Sequence, residues 1–173
     1  MGFQSTVNVK SGAGVPGEFY DNSPHRALSY RIDSASAAYN IVGATMFTVT
    51  SEGLAEAGSG GIDFAGLLVD PKAYALQGTT AGGTLAPPLT LANDTQAELA
   101  TEGRFWVTLP ASATIGDLVI YDNTTGAIAT IANDAALPAG KSFGYAKVIQ
   151  FTPTAAGLGV IEMSPTFTIP QAQ

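Results

Sequence analysis

The fold is decided by residues 103–131, which read GRFWVTLPASATIGDLVIYDNTTGAIATI. Phe105, Val107 and Leu109 alternate with residues of other types, which is the two-residue period of a strand with two different faces. Pro110 ends the pairing of that strand, because proline has no N–H to donate to a ladder. Turn-forming residues at 116–117 and 122–126 then separate two further apolar runs. The stretch predicts the centre of a small β-barrel or sandwich-like domain.

The rest of the chain is also predicted to be all-β. Apolar and β-branched runs predict strands at residues 41–50, 64–69, 143–151 and 158–163. Residues 51–61 predict a flexible loop or a short helix ended by glycine, and residues 77–88 a polar hinge or exposed loop. The expected organisation is an extended N-terminal arm over residues 1–36, a β-rich domain over 37–163 and a C-terminal tail over 164–173.

The predicted arm is interrupted by glycine and proline, yet apolar residues recur along it. Disordered segments are poor in such residues, so this segment needs a surface to lie on. Two interpretations remain open, an arm that crosses a neighbouring subunit and an irregular lead-in that packs on its own domain. The apolar anchors are Phe3, Val15, Phe19, Tyr20, Leu28, Tyr30 and Ile32.

The composition restricts the possible partners. Charged residues make up only 12% of the chain, about half of the roughly 25% typical of globular domains. A surface so poor in charge is typical of one covered by other subunits, although an extracellular β-protein of ordinary low charge shares the property. The net charge of −7 and the lack of any Lys or Arg cluster predict no nucleic-acid partner. No apolar run approaches the ~18 residues of a membrane span, so no membrane partner is expected.

No residue pattern indicates catalysis. His25 is the only histidine and there is no cysteine, which excludes a multi-histidine metal site and a thiol nucleophile. Glu98 and Glu102 are predicted to lie on a solvated face, and Asp117 and Asp122 to serve turns rather than a calcium site. The sequence therefore predicts no catalytic, cofactor-binding or metal-binding residue, no cofactor, and a protein that is not an enzyme.

Several segments resemble the structural cement (head decoration) proteins of tailed bacteriophages. The segments are IGD at 115–117 with VIYD at 119–122, residues 3–27 with their GVPGEFYDNSPHRA phrase, SASAAYN at 34–40, and GLLVDPKAYA at 66–75, the most specific of the four. The resemblance implies a small barrel with an arm tied into lattice contacts, and it names no catalytic residue. In a head filled with DNA, a chain of this charge is expected outside the shell.

The leading functional hypothesis is therefore a virion structural protein that binds the outside of the phage head and stabilises contacts between major capsid protein subunits. Self-association as a homodimer or homotrimer is also expected. The principal alternative is a β-sandwich adhesion or carbohydrate-binding module, and a hydrolase with a concealed Ser-His pair is a weaker one. The residues expected to contact the shell or sister subunits are Phe3, Val7, Phe19, Tyr20, Leu28, Phe167 and Ile169.

Overall fold

The structure is a computed structural model and describes residues 14–70 and 89–167. Within these residues the chain forms nine β-strands and one short 3-10 helix, Ala37–Tyr39. The all-β prediction is confirmed. The strands, numbered along the chain, are β1 (Arg26–Arg31), β2 (Met46–Val49), β3 (Ala55–Ala57), β4 (Asp63–Leu68), β5 (Gln96–Leu109), β6 (Leu118–Asp122), β7 (Ile128–Ile131), β8 (Lys141–Gln150) and β9 (Gly157–Met163).

Strand β5 organises the fold because it takes part in two sheets along its 14 residues. In its first half, Leu99 lies between Leu28 of β1 on one side and Leu68 of β4 on the other. Its second half, from Gly103 to Leu109, pairs with β9. Gly103 stands at the changeover with a φ of +126°, and a Cβ there would lie 2.9 Å from the Cβ of His25. The glycine lets the strand change direction where any side chain would be strained and crowded.

The named strands pair antiparallel throughout, in the order β3-β2-β4-β5-β9-β8-β6-β7 with β1 added beside β5. This path is not closed into a barrel. Closure would require β7, at one end of the path, to pair with the strands at the other end. Instead, Ala127 and Thr45, the residues before β7 and β2, form an isolated bridge. Of the two descriptions expected from the sequence, the sandwich-like one fits the molecule.

Two hydrophobic clusters lie on opposite faces of β2, β4 and the first half of β5. Neighbouring residues of these strands point into different clusters, as the alternation of side chains along a strand requires. The second half of β5 closes the first cluster, and Phe105, Val107 and Leu109 are each 0% exposed, so the predicted alternation is confirmed. The first cluster contains Met46, Leu67 and Ala100. The second cluster contains their neighbours in sequence, Phe47, Leu68 and Leu99.

Most predicted strands are confirmed, but the strand expected at 41–50 is limited to Met46–Val49. Strands β6 to β9 match their predictions to within two residues at each end. The helix alternative for residues 51–61 is wrong, because Ala55–Ala57 pairs with β2 as strand β3. Strand β1 was not predicted, because the glycines and prolines before it assigned this stretch to the arm, although Leu28, Tyr30 and Ile32 alternate with Ser29 and Arg31. The hinge expected at 77–88 lies outside the described residues, and the domain boundaries remain predictions.

Candidate interface surfaces

Residues 17–20, which belong to the lead-in before β1, lie along the edge of β5 of the same chain. Gly17 N donates to Trp106 O at 2.7 Å, Trp106 N donates to Glu18 O at 2.9 Å, and Tyr20 N donates to Arg104 O at 2.8 Å. Phe19 bridges Phe105 in antiparallel fashion. For residues 17–20, the structure therefore shows backbone pairing with the same chain, while residues 1–13 lie outside the described residues.

This lead-in builds a surface cluster that we call the aromatic patch, formed by Val15, Tyr20, Trp106 and Phe151. The Trp106 ring centroid lies 4.7 Å from that of Phe151 and 5.6 Å from that of Tyr20. Gly14 passes so close to the indole that an added Cβ would overlap it. Trp106 is only 8% exposed, whereas Val15 and Phe151 are 52% and 55% exposed. The patch therefore presents aliphatic and aromatic carbon to solvent above a buried indole.

Phe151 holds its exposed position at a conformational cost. Its φ is +50°, a left-handed conformation that bulky L-residues rarely adopt. Such backbone strain persists only where the surroundings impose it, and it tends to occur at functional positions. Here it leaves the ring tilted against that of Trp106 and half-exposed. The strain marks Phe151 as a candidate contact residue.

An ionic network lies beside the aromatic patch. Arg104 contacts Asp21 and Glu162, each at 3.0 Å, and Lys147 reaches Glu162 at 3.4 Å. A hydrogen bond from Ser23, followed by one from Arg104, lowers the pKa of Asp21. The pKa of Arg104 is raised, first by its hydrogen bond to Asp21 and then by Glu162. Because these side chains are about a third exposed, the network fixes geometry more than it adds stability.

A second surface, which we call the β1 groove, lies between β1 and β8. Its volume is about 370 Å³, and Leu28, which faces into it, is 45% exposed. Tyr145 reaches the groove because β8 turns its small residues Gly144 and Ala146 toward the core. A Cβ at Gly144 would lie 3.1 Å from Met46 Cε, so a larger residue there would require the Met46 side chain to shift. The groove is lined by Arg26, Leu28, Phe64, Thr101, Tyr145 and Pro165.

The residues expected at an interface do not lie on one surface. Tyr20 belongs to the aromatic patch and Leu28 to the β1 groove. Phe19 is turned inward, with its ring 5.1 Å from Phe105 and 4.3 Å from His25. The ring of Phe167 lies 5.7 Å from the Lys147 ammonium. The remaining three, Phe3, Val7 and Ile169, lie outside the described residues.

Sequence reasoning missed Phe151 as a candidate contact. It was assigned to the end of a strand, where an aromatic residue is unremarkable. A signal was present in the Phe-Thr-Pro sequence at 151–153, because a proline two residues later shows that the strand ends there. A large aromatic residue just past a strand cannot rely on the sheet for burial.

The Asp122 carboxylate stabilises the turn that precedes β7. Asp122 accepts hydrogen bonds from the N–H groups of Thr124 and Thr125 at 2.9 Å and pairs with Lys141 at 2.9 Å. The Lys141 ammonium and these N–H groups hold the pKa of Asp122 well below its usual range. Across residues 14–70 and 89–167 no three His, Cys, Asp or Glu residues are grouped so that they could hold a metal ion. The described residues also include no helix long and apolar enough to cross a membrane.

Comparisons with known proteins place the chain in a family. The family model described as structural cement protein (E217 gp24/Pam3 gp6) matches residues 3–164. No curated protein sequence matches the chain. Among solved structures, it is similar to a chain from "The capsid of Myoviridae Phage XM1", with 16% identity, a TM-score of 0.59, and coverage of 97% of this chain and 100% of that one. That likeness shows a shared fold, whereas the family match shows that the chain belongs to the phage structural cement proteins and has a structural role in the capsid.

Proposed function

We propose that this chain binds the outer surface of the phage head and strengthens contacts between neighbouring major capsid protein subunits. The observation that carries the proposal is the family match over residues 3–164. The net charge of −7 supports an outer position, because packaged DNA would repel an acidic protein inside the shell. The family's structural role also supports a function without catalysis.

Two exposed surfaces could supply the contacts. Burying a large apolar side chain contributes about 1.5–3 kcal/mol. Phe151 and Leu28 are each about half-exposed, so both can still gain from burial against a partner. Such contacts are repeated at every lattice position, so modest single interactions add to a large effect on the whole shell. Self-association as a homodimer or homotrimer would let one assembly bridge two or three subunits.

The proposed contact residues follow from the sequence and these surfaces. Tyr20 and Leu28 are supported by their places in the aromatic patch and the β1 groove. We add Phe151 because its strained backbone holds an exposed ring. The remaining residues of the proposed set are Phe3, Val7, Phe19, Phe167 and Ile169.

The test is to add the purified full-length chain to closed, DNA-filled heads assembled without it. Bound copies are counted by quantitative mass spectrometry after gradient sedimentation, relative to the major capsid protein. We expect a near-stoichiometric ratio and a higher temperature of head disruption. Failure of the chain to bind closed heads, or binding of only a few copies, would contradict an outer cementing role and turn attention to glycan binding.

A matched pair of variants tests the role of the aromatic patch. Phe151→Asp places a charge within the patch and is expected to lower the number of bound copies. Ile115→Asp introduces the same charge at a side chain that is 71% exposed and belongs to neither surface. We expect Ile115→Asp to bind like the unmodified chain. Equal binding by both variants would remove the aromatic patch from the interface.

A further inference from the structure

We propose that the β1 groove receives an extended segment of a capsid shell subunit, which fills the groove with apolar side chains and presents a carboxylate to Arg26. The proposal rests on the proposed function and deepens it by naming the docking surface and the chemistry of the partner segment. It follows from the shape of the groove, its charge and the unpaired edge of β1.

A second concavity adjoins the groove. Phe64 and Tyr145 line both, and their ring centroids lie 5.2 Å apart at the junction. The second concavity has a volume of about 380 Å³ and is bordered by Ile62, which is 72% exposed. Side chains on one face of an extended segment recur roughly every 7 Å, so successive apolar residues can enter the two concavities.

The charge at the mouth of the groove favours an acidic partner. Arg26 lines the groove and makes no ion pair with any residue in the described part of the chain. Its cross-strand neighbour is Glu102, yet the two side chains form no salt bridge. The other described cationic side chains of lysine and arginine, Arg31, Arg104, Lys141 and Lys147, all have carboxylate partners. An incoming carboxylate would therefore find a guanidinium that is free to form a bidentate pair.

The backbone of β1 offers a second mode of recognition. Among the described residues, β1 pairs only with β5. Ile32, the residue after β1, forms an isolated bridge with Ala55, and the other edge of β1 itself has no paired strand in this part of the chain. A strand with one unpaired edge can accept an extended segment by main-chain hydrogen bonding, while side-chain pockets supply the specificity.

The shape of the groove argues against direct contact between the grooves of two copies of this chain. A two-fold interface places the same patch on both subunits, so the patch must be complementary to itself. Two concave grooves facing one another would leave both unfilled and would bring Arg26 of each copy to the same interface. A projecting segment of a different protein avoids both problems.

The test compares three full-length variants on heads assembled without the chain. Leu28→Asp removes the apolar wall, Arg26→Glu reverses the charge at the mouth, and Ile115→Asp is the matched control. We expect roughly tenfold weaker binding of Leu28→Asp to the heads, the loss that burial of one leucine predicts, and clearly weaker binding of Arg26→Glu. Unchanged thermal unfolding of each variant shows that the fold is intact. Because Arg26 is exposed, Arg26→Glu tests the groove without changing a residue that the fold buries. Binding of both groove variants at the unmodified level would overturn the proposal.

A photo-crosslinking residue at position 28 identifies the occupant. We expect crosslinks to a shell-subunit segment that carries apolar residues and an Asp or Glu. Crosslinks to a second copy of this chain, or none when the chain is bound, would overturn the proposed occupant. If the unmodified chain does not bind heads at all, the proposed function itself fails, whereas normal binding without any effect of the groove variants defeats the groove alone.

Discussion

Replacing Gly66 with alanine tests whether the pairing of β4 with β5 depends on a missing side chain. Gly66 has a φ of +119°, a conformation that L-residues rarely adopt. An added Cβ would overlap the carbonyl oxygen of Ala100 and lie 2.6 Å from its carbonyl carbon. Because the obstructing atoms belong to the backbone of β5, a side-chain rotation cannot relieve the contact. Strand β4 must therefore move away from β5.

The magnitude follows from two contributions. The strained backbone conformation costs about 1–3 kcal/mol. Moving β4 weakens its short pairing at Leu67 and Leu68, where each hydrogen bond contributes about 1 kcal/mol. The total is about 3–5 kcal/mol, and for a domain of this size each kcal/mol shifts Tm by about 2–4 °C. We expect Gly66→Ala to lower Tm by roughly 6–20 °C.

The assay is thermal unfolding followed by circular dichroism, with Gly116→Ala as the matched control. Gly116 has a φ of +96°, but a Cβ there would meet nothing within 4 Å. The control therefore carries the conformational cost alone, about 1–2 kcal/mol. A loss for Gly66→Ala no larger than that of the control would refute the reasoning, since the contact with Ala100 would then have no effect.

Two further predictions concern the lead-in and the turn at Asp122. Gly14→Ala should push the lead-in away from Trp106, the only tryptophan, so that its fluorescence shifts to the red and acrylamide quenches it more strongly. Asp122→Asn should lower stability by about 1 kcal/mol at pH 7, because it replaces a charged partner of Lys141 with a neutral one. The pKa of Asp122 is lower in the folded protein than its ordinary 3.8, so its contribution is present above about pH 4 and is lost as the pH falls further. The difference in urea-unfolding free energy between the two proteins should therefore shrink below pH 4.

Controls make both results decisive. Gly53→Ala adds a methyl group where nothing lies within 4 Å, so it should leave the tryptophan emission unchanged. An emission spectrum of Gly14→Ala identical to that of the unmodified protein would show that the lead-in does not cover the indole. A stability difference for Asp122→Asn that stays constant from pH 7 to pH 2 would show that its carboxylate charge contributes nothing.

Much of the fold could be predicted because local patterns carry it. Strands β6 to β9 are bounded by glycine, aspartate and proline turns, and their residues alternate or form short apolar runs. Strand β3 was not predicted, because three residues become a strand only by pairing with β2. Strand β1 was not predicted although Leu28, Tyr30 and Ile32 alternate with polar residues, because the glycines and prolines before it indicated an arm without regular pairing, and its pairing with β5 is a tertiary contact.

The candidate surfaces were predictable only in part. Tyr20 and Leu28 were predicted as contacts because they are apolar residues of the expected arm, and each lies on one of the two surfaces. Their separation onto different surfaces depends on contacts between residues far apart in sequence. Tyr20 meets Phe151, and Leu28 shares its groove with Tyr145. No sequence pattern encodes such distances.

The sequence by itself determined the all-β class, most strand positions, the lack of any pattern typical of catalysis and the resemblance to phage cement proteins, because these depend on residue type and local spacing. The tertiary structure decided that β5 serves two sheets, that the strand path stays open, and that the lead-in lies on its own domain at residues 17–20. It also decided which apolar side chains remain outside the core. The physical reason is that burial is a property of the whole packed molecule: Gly144 lies against Met46 in the core, and the alternation of side chains along β8 places Tyr145 in the groove.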